Sequence, residues 1–153
     1  MADVVAEKKM DKEKCREIIR EIFSHNKFVV ACHIVIDETL CGSAKLHMPI
    51  EGDLHVNPRG MAHGGALSTL ANTAVGVTCC TVGVRTVTLN FNSNFIANLR
   101  AGDTAYAEAR VLHRGHKTVV LGCEIYDQTR RLLTKSLVTM YITGDDDKIP
   151  HEW

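Results

Sequence analysis

Residues 57–83 read Asn57-Pro58-Arg59-Gly60-Met61-Ala62-His63-Gly64-Gly65-Ala66-Leu67-Ser68-Thr69-Leu70-Ala71-Asn72-Thr73-Ala74-Val75-Gly76-Val77-Thr78-Cys79-Cys80-Thr81-Val82-Gly83, and this stretch decides the fold. From Gly64 through Val84 no side chain carries charge. A run of that kind is either a membrane span or a helix wrapped by the rest of its own chain. Ser68, Thr69, Asn72, Thr73 and Thr78, several glycines and only Leu67 and Leu70 as leucines make it a poor match to lipid. The expectation is therefore a central helix over about 64–82, buried nearly all round, with no membrane as partner. His63-Gly64-Gly65 puts bare backbone at its first turn, where the leading N–H groups have no intrahelical partner. With the macrodipole behind them, such donors suit a carboxylate, a phosphate or the oxyanion formed when a carbonyl is attacked. The same glycines also serve plain close packing of a helix start, and on these residues alone both meanings stay open.

The rest of the composition narrows the class. A chain of 153 residues is expected to form one domain, 1–153, and its 45% hydrophobic and 24% charged content is that of an ordinary globular protein. Formal net charge is zero, which removes any global electrostatic reason to expect nucleic acid. The first thirty residues carry Glu7, Lys8, Lys9, Asp11, Lys12 and Glu13, leaving no apolar region for a secretory signal, so a cytoplasmic protein is expected. Cys15, Cys32, Cys41, Cys79, Cys80 and Cys123 show no C-x-x-C pair and are read as reduced thiols. The eight histidines make no i, i+4 pair or Cys/His cluster, so no metal is expected.

Outward from the central stretch, residues 11–25 space Cys15, Ile18, Ile19, Ile22 and Phe23 as an amphipathic helix. Phe28 to Ile36 is rich in β-branched residues and reads as a strand paired with Gly42 to Met48. After the central helix, Val87, Leu89, Phe91 and Phe95 alternate with Thr86, Thr88, Asn90, Asn92 and Asn94, predicting a strand with the first set on the core. Thr104 to His113 places Ala105, Ala107, Ala109 and Val111 on one side, small enough for a helix to lie against. A turn at Arg114-Gly115 leads into Lys117 to Tyr126, and Leu132 to Ile142 makes the last strand. Residues 145–153, opened by Asp145-Asp146-Asp147, read as a solvated acidic tail. The order is helix, two strands, long helix, four strands: an α+β fold with an antiparallel sheet around one helix.

Asn57, His63-Gly64-Gly65, Leu70 with position 72, Thr86 to Ile96, Ala101-Gly102-Asp103 and Arg114-Gly115-His116-Lys117 together resemble the hot-dog-fold acyl-CoA thioesterases of the phenylacetate-type group. The resemblance covers roughly residues 15–143 and implies a hot-dog fold. It further implies that the backbone N–H of Gly64, beside Gly65, holds the thioester oxygen, that Asn57 and His63 position the thioester, and that Thr88 stands where a hydroxyl holds the attacking water. Arg114, His116 and Lys117 fall where the family places coenzyme A phosphates, with Arg59 and Arg100 as weaker candidates. The substrate would be acyl-CoA, with the coenzyme A moiety part of it and no separate cofactor. Members dimerise edge to edge, often pairing again as a dimer of dimers, with each site shared between subunits.

The sequence departs from the pattern at Asn72, where the family has Asp or Glu. An amide accepts and donates hydrogen bonds but takes no proton near neutral pH. No carboxylate lies between His63 and Val84, and Glu51 or Asp53 could stand in only if their loop folds inward. Two outcomes follow: thioester hydrolysis without the usual base, or an acyl-CoA binding protein with little turnover. Cys79 and Cys80 are read as packing residues, since no neighbour in the sequence supplies a base.

Overall fold

A computed structural model describes residues 10–153; residues 1–9, part of the charged N-terminal stretch above, lie outside the described residues. Helix α1 (Lys12–Ser24) starts at Asp11, whose carboxylate accepts the Glu13 N–H, and buries Cys15 and Ile19. The stretch expected as a strand begins instead with a short helix, α2 (Lys27–Ala31). Asn26 explains the difference: its Oδ1 accepts the N–H of both Phe28 and Val29 (3.2 Å each), fixing a helical first turn against the β-propensity of Val29 and Val30. Strand β1 (Val35–Leu40) follows and turns through Cys41-Gly42 into β2 (Ser43–Pro49), with Gly42 at φ +87°. The central helix α3 (Gly64–Thr81) is followed by β3 (Val84–Phe95), β4 (Thr104–Arg114), β5 (Thr118–Tyr126) and β6 (Leu132–Asp145).

The six strands form one sheet in the order β1-β2-β4-β5-β6-β3, antiparallel throughout. Helix α3 lies across it, and the core is their shared surface: Leu67, Leu70, Ala74 and Val75 against Leu46, Met48, Ala105, Ala107, Leu121 and Ile125. The alanines of β4 leave the room the helix occupies, as their spacing implies.

Strand β3 corrects the expected facing. Leu89 has no partner in the register with β6, and this bulge shifts the alternation by one residue. Thr86 and Thr88 therefore face the helix before it, and Phe91 and Phe95 after it, while Val87 and Leu89 point away and stay 55% and 62% exposed. The strand is also the last of the sheet, so among the described residues no strand pairs with its outer edge. The opposite edge differs: β1 is interrupted by a bulge at Asp37, and the Arg16 guanidinium donates to the Thr39 carbonyl (3.1 Å).

Because β3 ends the sheet, α3 is not enclosed all round as expected. Gly65, Ser68, Thr69, Asn72, Thr73 and Gly76 form a half-open or exposed face. The tail corrects another expectation. Beyond β6 the chain folds back under the end of α3, burying Ile149 and Trp153, and the Trp153 indole N–H donates to the Thr81 carbonyl (2.7 Å). Its bond satisfies one of the carbonyls a helix end leaves free. Gly83 (φ +69°) is pinned below, where an added Cβ would stand 2.5 Å from the Ile149 carbonyl oxygen.

Candidate active site

The site begins with the loop before α3. The Asn57 N–H donates to the Met61 carbonyl (2.8 Å), and its Oδ1 accepts the N–H of Arg59 (2.9 Å) and Met61 (3.2 Å), a side-chain turn that closes the loop through Pro58. His63 is the N-cap of α3. Its N–H donates to the His55 carbonyl (2.7 Å) and its Nδ1 accepts the Gly65 N–H (2.9 Å). That leaves the Gly64 N–H with no protein acceptor among the described residues, pointing out of the first turn with the helix dipole behind it. The ring of Phe95 lies over this glycine, 3.5 Å from where a Cβ would be. The buried His55 ring holds the same loop from beneath: its Nδ1 accepts the Glu51 N–H (3.0 Å) and its Nε2 bonds the Cys32 carbonyl (3.0 Å).

Two turns along α3, the Thr88 hydroxyl donates to Asn72 Oδ1 (2.8 Å), linking the open face of the helix to the inward face of β3. Both side chains line a cleft of about 1020 Å³ between α3, β3 and the α1–α2 corner. Ile22, Phe23, Phe28 and Val29 form one wall, Phe91 and Met140 the floor, and Asp146, Asp147 and Lys148 the far end. Sequence reading missed these walls, since nothing in the acidic run signals that it docks, and the α1 stripe shows burial without showing what it faces. Gly64 and Asn72 lie eight positions apart, about 12 Å of helix at 1.5 Å per residue. His63, Gly64 and Gly65 do not line the cleft, so one chain does not bring its two groups of site residues together.

Neither stand-in carboxylate joins Asn72. Glu51 pairs with His33 (2.6 Å), Asp53 is exposed on its turn, and neither lines the cleft. Arg114 and His116 sit at the β4–β5 hairpin, lining a separate recess with Asp145 and His151, while the Lys117 carbonyl accepts the Ile142 N–H. Burial pushes the Cys79 thiol up to about 11 and Cys80 up to about 12, which suits packing rather than nucleophilic attack. All six cysteines are free, no cluster of metal-ligating side chains is present among the described residues, and none of their helices is long and apolar enough to cross a membrane.

Residues 59–134 match the family model of the Thioesterase superfamily. The chain is 33% identical over 90 residues to the acyl-coenzyme A thioesterase PaaI of Escherichia coli K12, a match spanning 59% of this chain and 64% of that protein, just under two thirds of its length. It is 34% identical over 91 residues to ComA2 of Bacillus subtilis, covering 57% and 71% respectively. The solved structure of E. coli PaaI superposes with a TM-score of 0.83 at 26% identity, over 88% of this chain and 96% of that one. A hypothetical thioesterase of Streptococcus pneumoniae, solved with coenzyme A, superposes with a TM-score of 0.72 at 26% identity, over 74% and 88%. Solved variants of the pneumococcal protein replace an aspartate and a threonine sixteen positions apart, the separation of Asn72 and Thr88 here.

Proposed function

Since the chain belongs to the thioesterase superfamily, we propose that it hydrolyses acyl-CoA thioesters in a site shared between two copies. Water adds to the thioester carbonyl, the C–S bond breaks, the sulfur takes a proton, and coenzyme A and a carboxylic acid leave. The observation that carries this reading is the Asn72–Thr88 pair, which faces an open cleft at the same spacing as the aspartate and threonine replaced in the pneumococcal thioesterase. In this role Thr88 holds the attacking water, the Gly64 N–H receives the oxyanion, and His63 and Asn57 keep that N–H and its loop in place. The 12 Å between Gly64 and Asn72 is too far for one carbonyl to meet both. Pairing of the free β3 edges, with Val87 and Leu89 covered, would let the helix start of one copy face the Asn72–Thr88 pair of the other. Arg114, His116 and Lys117 are proposed contacts for the coenzyme A phosphates. No cofactor is needed, and six free thiols fit the cytosol.

Asn72 sets the expected rate. General-base help is worth roughly 10²- to 10⁴-fold, and one oxyanion donor roughly 10²- to 10³-fold, so an amide at this position removes one large factor and leaves the other. The amide therefore also favours a second reading, a protein that holds acyl-CoA with little turnover. Release of free thiol from short, medium, long and aromatic acyl-CoAs, run with wild type and Asn72→Asp, separates them. Hydrolysis by wild type supports the enzyme; silence with a gain of more than tenfold in the variant supports the binding protein. Silence from both refutes the thioesterase reading, and a rate unchanged in the variant removes Asn72 from the base position.

A further inference from the structure

We infer that Gly76 sets the length of the acyl group, and that the substrates are acyl-CoAs with apolar chains longer than acetyl. The inference rests on the thioesterase reading and deepens it. Gly76 lies one helical turn beyond Asn72 on the same open face, about 6 Å further along the axis, and lines the same cleft. Nothing in the fold requires glycine there. Its φ is not in the left-handed region, and an added Cβ would meet no atom within 4 Å. Glycine inside a helix costs about 1 kcal/mol relative to alanine, so this position is less stable than it could be. What glycine does provide is space, in a cleft walled by Phe23 and Phe28 and floored by Met140. An apolar chain leaving the carbonyl held near Thr88 can run over Gly76 among those side chains, whereas acetyl stops short of it. The charged groups that line the cleft, Arg85, Asp146, Asp147 and Lys148, come from the segments beyond the end of α3, where Arg85 pairs with Gly144 and the Asp146 N–H donates to the Gly83 carbonyl.

The test compares kcat/KM for acetyl-, butyryl- and octanoyl-CoA in wild type, Gly76→Ala and Gly76→Leu. Wild type should prefer octanoyl-CoA, and Gly76→Leu should lower the octanoyl-to-acetyl ratio by ten- to two-hundredfold, the scale on which a pocket discriminates by a methylene. Gly76→Ala should lower the ratio less while raising Tm, so lost folding cannot account for the change. An equal loss on all three substrates overturns the inference, because the pantetheine arm and not the acyl chain would then cross Gly76. If no thioester is turned over, equilibrium binding of S-octyl-CoA and S-methyl-CoA gives the same answer: tighter binding of the octyl compound, abolished in Gly76→Leu, upholds it. Equal or absent binding refutes it, whereas turnover of all three thioesters with an unchanged ratio in Gly76→Leu refutes it while the thioesterase reading survives.

Discussion

If the site is completed by two copies, two inactive chains should restore each other. His63→Ala loses the N-cap acceptor that leaves Gly64 free at the helix start, and Asn72→Ala loses the partner of Thr88, about 12 Å away along α3. In a mixed dimer one site carries both defects and the other carries neither. At equal amounts half of the dimers are mixed, each with one intact site of two, so thiol release should recover to about a quarter of the wild-type rate per chain under two-fold symmetry. The assay is co-expression with two different tags, tandem purification of the mixed dimer, and acyl-CoA hydrolysis beside each parent; the purified mixed dimer should reach about half. Each parent must fall well below that level for the comparison to read. A mixed dimer no faster than the mean of its parents would refute the shared site and confine the chemistry to one chain.

Gly64→Ala should fold normally, since the new methyl meets the Phe95 ring at ordinary contact distance, yet lower kcat by about 10²- to 10³-fold by crowding the oxyanion position; circular dichroism with kinetics checks both, and a normal rate removes Gly64 from that role. Trp153→Ala opens a cavity and frees the Thr81 carbonyl, so unfolding in urea should show a loss of about 3 kcal/mol or more, and an unchanged midpoint would mean the tail is not docked. The Thr129 hydroxyl, with the backbone N–H groups of Arg131 and Thr129 and the Arg131 side chain, holds the Asp127 carboxyl down to about 2. A lowered folded value stabilises above the unfolded value of about 3.9 and is lost as pH falls from there toward 2, so Asp127→Asn should flatten the stability profile in that window and leave its shape near neutrality alone.

What could be read from the sequence was whatever depends on local pattern. The uncharged run after His63 gave the bounds of α3 to within a residue, and the alanines of β4 and the Val119-to-Ile125 alternation of β5 showed their inner faces directly. The misreadings come where one residue redirects its neighbours. Asn26 turns a β-rich segment into a helix, and the bulge at Leu89 reverses the first half of β3. The docking of Ile149 and Trp153 depends on a long-range fit to Gly83 and Thr81 that no local periodicity records. In the site, the helix-start donors and the 72–88 pair were legible as residue types, but their separation follows only from the helix geometry, and the α1–α2 wall only from tertiary packing.

On the proposed pairing, the two ends of the sheet would give this protein the valence of a chain terminator. A unit able to bond at both ends polymerises, as any bifunctional monomer does, whereas a unit with one reactive end forms a pair and stops. Strand β1, short, bulged at Asp37 and with a carbonyl already taken by Arg16, would be the unreactive end, and the twelve residues of β3 the reactive one. Joining two copies through β3 consumes both reactive ends at once, so raising the concentration should add more pairs and no filaments.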